Sequence, residues 1–110
     1  MDTEEELIRK KNRALYALQE LLSHAKNNRP SRLDEISKIE KASESVEDRR
    51  DYVRKFEFLV QLLDGFISEV NSEPPNPSDD WLNRLVSIRN AIIQYKNAYA
   101  NYAINFNEPR

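Results

Sequence analysis

The sequence predicts an all-α fold: an antiparallel bundle of three long helices, or four if the second breaks near residues 43–46. Three observations carry that expectation. Apolar residues recur at alternating spacings of three and four along the extended segments, the period of a helix with one buried face. A single glycine in 110 residues argues against an all-β architecture, whose turns need glycine repeatedly. Pro74, Pro75 and Pro77 cluster between periodic segments, where they punctuate the pattern without interrupting it. At this length one domain, residues 1–110, is expected to bury a single core without metal or disulfide support.

The first helix is expected to begin at Thr3. Thr3 and Glu6 fit a capping box, and Glu4, Glu5 and Glu6 lie where the helix dipole favours negative charge. Leu7, Ala14, Leu18, Leu21 and Ala25 keep the apolar rhythm, with Lys11 in the gap. The helix should end near Asn27 or Asn28, because the residue before Pro30 avoids helical geometry. Ser31 is placed to cap a second helix, whose stripe is Leu33, Ile36, Ile39 and Ala42. A break is expected near Ser43-Glu44-Ser45, since serine competes with the helical backbone for hydrogen bonds, and Ser45 with Asp48 could start a new helix.

From Val46 to Val70 the pattern strengthens. Val53, Phe56, Val60, Leu63, Ile67 and Val70 form its apolar seam, flanked by Tyr52, Leu59 and Phe66, which predicts a central helix. Gly65 interrupts it and predicts close approach of another helix. Asn71 to Ser78 reads as a stiff connector, after which Ser78, Asp79 and Asp80 open the last helix. There Trp81, Leu85, Ile88, Ile92, Tyr95, Tyr99, Tyr102 and Phe106 continue the alternation of four and three to the end, a coiled-coil-like seam.

The chemical inventory is thin. His24 is the sole histidine, cysteine is absent, and neither a metal-ligand spacing nor a glycine-rich phosphate loop occurs. The expectation is a protein that is not an enzyme, with no catalytic residue, cofactor, metal or small-molecule substrate. Net charge is −2, which gives no global attraction to nucleic acid or an anionic membrane. The basic cluster Arg9, Lys10, Lys11 and Arg13 reads as a solvated face, because i,i+4 glutamates pair with it and no aromatic is interleaved. No apolar run approaches the ~18 residues of a membrane span. The acidic N-terminus differs from a basic signal region, so cytoplasmic residence is expected.

Trp81 to Tyr95 reads WLNRLVSIRNAIIQY, with an arginine-asparagine pair at Arg89 and Asn90. This run resembles the signature helix of HEPN-domain proteins, small helical-bundle ribonucleases and toxin-antitoxin or defence-associated proteins. Their motif places a histidine five residues after the arginine; here that position holds Gln94. Lys96 stands where some members carry a tyrosine. The resemblance covers about fifteen residues and implies a relative that has lost the family's base, a catalytically degenerate component of a nuclease or defence system.

The second half of the last helix carries the main functional expectation. Asn90, Gln94, Asn97, Asn101 and Asn105 form an uncharged polar stripe beside the aromatic Tyr95, Tyr99, Tyr102 and Phe106. Between Asn90 and Asn107 the only charged residue is Lys96. Low charge with tyrosine enrichment is how interface cores differ from ordinary surface. The same aromatics also suit a core whose phenol groups reach solvent at its edge. The expected role is a protein-interaction module, a small regulator, adaptor or assembly component, that binds itself or a partner protein through these residues.

Overall fold

The computed structural model describes residues 3–48, 50–73 and 80–105, and these fold as an all-α bundle of four helices. They are α1 (Thr3–Asn28), α2 (Leu33–Ser45), α3 (Tyr52–Asn71) and α4 (Trp81–Asn105). The proline-rich connector with Ser78 and Asp79, the residue Phe106, and the side chains of Thr3, Asp48, Ile104 and Asn105 lie outside the described residues.

α1 buries Ala14, Leu18, Leu21 and Ala25 and ends at Asn28, ahead of Pro30 as expected. Arg29 takes φ −143°, ψ 60°, out of the helical region, because the ring of Pro30 would clash with a helical predecessor. Ser31 does not cap α2. Pro30–Arg32 forms a 3₁₀ turn instead, and Arg32 takes the cap position without a side-chain cap. Proline supplies the fixed φ that starts this turn, and the Arg32 guanidinium is drawn across to α3.

The break falls at the end of the expected 43–46 range. α2 runs to Ser45, whose hydroxyl donates to the Ala42 carbonyl at 2.7 Å, and Val46–Asp48 forms a second 3₁₀ turn. Val46 is fully buried and pins that turn to the core. Asp51 adopts the left-handed region (φ 53°, ψ 35°) just before α3 starts at Tyr52. The chain therefore reverses, and residues 32–70 do not form one long rod.

α3 corrects the seam read from the sequence. The buried stripe is Tyr52, Phe56, Leu59, Leu63, Phe66 and Val70, while Val53 is 46% exposed and Val60 and Ile67 lie at the margin. Two parallel apolar series compete on this helix, and the one carrying Tyr52 and Phe66 wins because aromatics bury more area than Val53 and Ile67. Gly65 is exposed, and a Cβ built on it meets nothing within 4 Å. The close helix approach expected there does not occur.

Nor is α3 central. The helices form a ring in which α1 packs on α4 and α2, and α3 packs on α4 and α2. Every adjacent pair is antiparallel. His24 near the end of α1 stacks on Trp81 at the start of α4, with ring centroids 5.5 Å apart. Tyr52 and Phe56 at the start of α3 meet Tyr99 and Tyr95 far along α4, at 4.6 and 5.0 Å. At the opposite end of α3, Phe66 meets Trp81 edge-on. Arg29 and Arg32 hydrogen-bond to Glu73, Arg32 also reaches Glu35 and Glu69, and its guanidinium lies 5.6 Å from the Phe66 ring centre. These contacts clamp the α1–α2 corner onto the end of α3.

Candidate functional site

α4 differs from its neighbours in what it shows to solvent. Of its described residues, the exposed ones are Asn83, Val86, Ser87, Asn90, Gln94, Asn97 and Asn101, and none carries a charge. The exposed residues of α1 include Glu4, Glu5, Arg9, Arg13 and Glu20, and those of α3 include Arg54, Glu57, Asp64 and Glu69. An outer helix face normally gains solubility from lysine and glutamate. The most exposed positions of α4 carry amides, a hydroxyl and a valine, while its cations Arg84, Arg89 and Lys96 are half-buried.

The structure separates the residues expected at this site into two sets. Tyr95 and Tyr99 are 3% and 5% exposed and belong to the core, where Phe56 and Tyr52 pack on their rings. Ala91, Ala98 and Ala103 are buried with them. Tyr102 is half-buried, so the aromatic seam serves folding and offers little surface to a partner. Asn90, Gln94, Asn97 and Asn101 remain exposed. Gln94 accepts a hydrogen bond from Lys10 of α1 at 3.0 Å, which leaves Asn90, Asn97 and Asn101 as the outermost amides.

Residues not singled out from the sequence complete the face. Asn83, Asn90 and Asn97 recur every seven residues, as do Val86, Ile93 and Ala100. At about 100° per residue both sets lie on the outward side of α4. Val86 is 41% exposed, and Ile93 and Ala100 are half-buried.

Arg89 and Gln94, the two positions that carry the HEPN resemblance, turn toward different helices. Arg89 Nε donates to Asp64 of α3 at 2.5 Å, and this bond holds the guanidinium firmly protonated. Gln94 reaches α1. Five residues apart, they are separated by about 140° around the helix.

Other polar clusters are paired off. Lys11 forms an ion pair with Glu47 at 2.7 Å, and Arg9 lies 3.7 Å from Glu6. His24 is covered by Trp81 and shares Nδ1 with the Asn28 amide at 3.3 Å. A cavity of about 290 Å³ opens between the start of α1 and the end of α4, lined by Glu4, Leu7, Ile8, Lys11, Glu47, Tyr95, Tyr99 and Tyr102. Burial first, then the charge of Glu47, pushes the Tyr95 phenol up to about 12. The phenol is thus a neutral hydrogen-bonding group at ordinary pH and no base. Among the described residues, no three or more His, Cys, Asp or Glu side chains gather as a metal-binding group, and no helix is long and apolar enough to cross a membrane.

No protein-family model matches the chain, and no similar curated protein or solved structure is found. The functional assignment therefore stands on the geometry of the α4 face.

Proposed function

We propose that the chain is a non-enzymatic interaction module that binds a protein surface, its own copy or another protein, through the outer face of α4. The observation that carries this is the absence of charge from the exposed described residues of that helix, whose cations Arg84, Arg89 and Lys96 are half-buried. Such a face loses little on desolvation compared with one bearing lysine and glutamate, and its amides can both donate and accept across a contact. Affinity purification from the native host, comparing wild type with Val86→Glu, tests it. Val86 is already 41% exposed, so the added carboxylate leaves the core untouched. Loss of a copurifying protein with the variant supports the role; identical recoveries for both forms reject it.

A second reading has one observation in its favour. Arg89 and Asn90, the pair that resembles the HEPN signature, both reach solvent. A degenerate HEPN-like component of a nuclease, toxin-antitoxin or defence system would copurify with RNA in an Arg89-dependent manner. RNA recovery unaffected by Arg89→Ala removes that reading.

A further inference from the structure

The cavity between the start of α1 and the end of α4 lies apart from the outer face of α4. Its inner wall is aromatic. Tyr95 and Tyr99 are 3% and 5% exposed, and their rings are fixed from behind by the core. Phe56 stands edge-on to both at 5.0 and 5.7 Å, and Tyr52 packs on Tyr99 at 4.6 Å. The half-buried Tyr102 extends this wall, and Leu7 and Ile8 of α1 supply the apolar side, with Ile8 50% exposed at the mouth. At about 290 Å³ the cavity lies at the lower end of small-molecule pockets, with room for roughly ten non-hydrogen atoms.

One polar group in this wall has nothing to bond. The Tyr95 side chain is nearly buried, yet its hydroxyl has no hydrogen-bond partner among the described residues. The charge of Glu47 and the Tyr99 phenol both act on that hydroxyl, and both residues line the cavity, so the O–H is directed into it. A nearly buried donor without a protein acceptor costs free energy, and a ligand oxygen that reaches it recovers that cost. The charges around the cavity decide what else the ligand carries. Lys11 and Glu47 already neutralise one another at 2.7 Å. An anion would meet Glu4 and Glu47, and a cation would have to displace Lys11.

We propose that this cavity binds a small uncharged ring compound whose carbonyl oxygen accepts a hydrogen bond from Tyr95 Oη. The ring of the ligand lies among Leu7, Ile8 and the tyrosines, and its polar end faces inward. Because Phe56 and Tyr52 hold the phenols in place, little ordering is needed on binding. The site goes beyond the interaction role of α4, and neither depends on the other.

Titration of the isotope-labelled full chain with acetophenone, followed by amide NMR shifts, tests this. Shifts centred on Leu7, Ile8, Tyr95 and Tyr102 are expected, with a dissociation constant of about 1 mM. Benzoate and benzylammonium, its charged counterparts, should bind at least about tenfold more weakly; either binding as tightly as the ketone overturns the uncharged class. Tyr95→Phe keeps the ring against Phe56 and removes only the unpartnered hydroxyl, so helicity and unfolding midpoint should be retained. It should weaken acetophenone by about three- to tenfold and leave toluene, which has no oxygen, unchanged. Equal effects on the two ligands, or none on either, overturn the hydrogen bond. Ile8→Trp closes the mouth from an exposed position and should abolish the shifts; shifts that persist in that variant, or none in the wild type up to about 10 mM, overturn the site. Such a failure leaves the copurification test of Val86→Glu to decide the role of α4 by itself.

Discussion

Replacing Trp81 with alanine tests whether the first residue of α4 is the main anchor of the bundle. The indole is 1% exposed, stacked on His24 at 5.5 Å and met edge-on by Phe66 at 6.0 Å, so it joins α4 to both α1 and α3. Deleting a buried tryptophan removes its transfer free energy and leaves a cavity that neighbours fill only in part, a loss of ~3–5 kcal/mol. A domain of 110 residues has roughly 5–16 kcal/mol in total, so the substitution should remove a large share of the stability. The melting midpoint should fall by roughly 15 °C or more. Urea denaturation followed by circular dichroism at the helical band is the assay, because the substitution removes the only tryptophan fluorophore. A loss below about 1 kcal/mol would refute the placement of Trp81 in the core and mark it as a surface residue.

Gly65→Ala should stabilise the protein by ~0.5–1 kcal/mol in the same assay, since the new methyl meets nothing within 4 Å and alanine is the better helix former; destabilisation would mean that another helix approaches there after all. Ser43 is 3% exposed, and its hydroxyl has no hydrogen-bond partner among the described residues, so Ser43→Ala should be neutral to stabilising by about 1 kcal/mol. Glu73→Gln should cost about 1–2 kcal/mol, a moderate figure because the side chain is 23% exposed and Arg32 keeps Glu35 and Glu69. Arg32 first, then Arg29, holds the Glu73 carboxyl below its ordinary value of 4.5. The bound carboxylate therefore contributes fully above pH 4.5, and the contribution is lost as acidification passes below that value through the lowered folded one. Urea midpoints measured from neutral to acid pH should fall more steeply for wild type than for Glu73→Gln; parallel curves would show that the clamp contributes nothing.

Much of the site was written in the spacing, yet the chain alone could not say which stripe faces inward. On α4 the tyrosines at 95 and 99 suited both a core and an interface, and only the approach of Tyr52 and Phe56 assigned them to the core. The asparagines at 90, 97 and 101 stand out in the sequence because the other helices interleave lysine, arginine, aspartate and glutamate among their exposed positions. Val86 and Ile93 are unremarkable in the sequence, since their exposure depends on how α4 packs against its neighbours.

By itself the sequence determined that the chain is helical and where α1 stops, and it marked the place where the second helical segment could break, since period, proline geometry and serine competition act over a few residues. It also located the charge-poor half of α4. The tertiary structure decided what depends on partners distant in sequence: which of two apolar series α3 buries, that Gly65 faces open space, and that Arg29 and Arg32 close on Glu73. Burial is a property of the assembled bundle. A helix with two apolar stripes can satisfy either alone, and the choice falls to whichever packs more area against its neighbours, leaving the other stripe outside beside the asparagines.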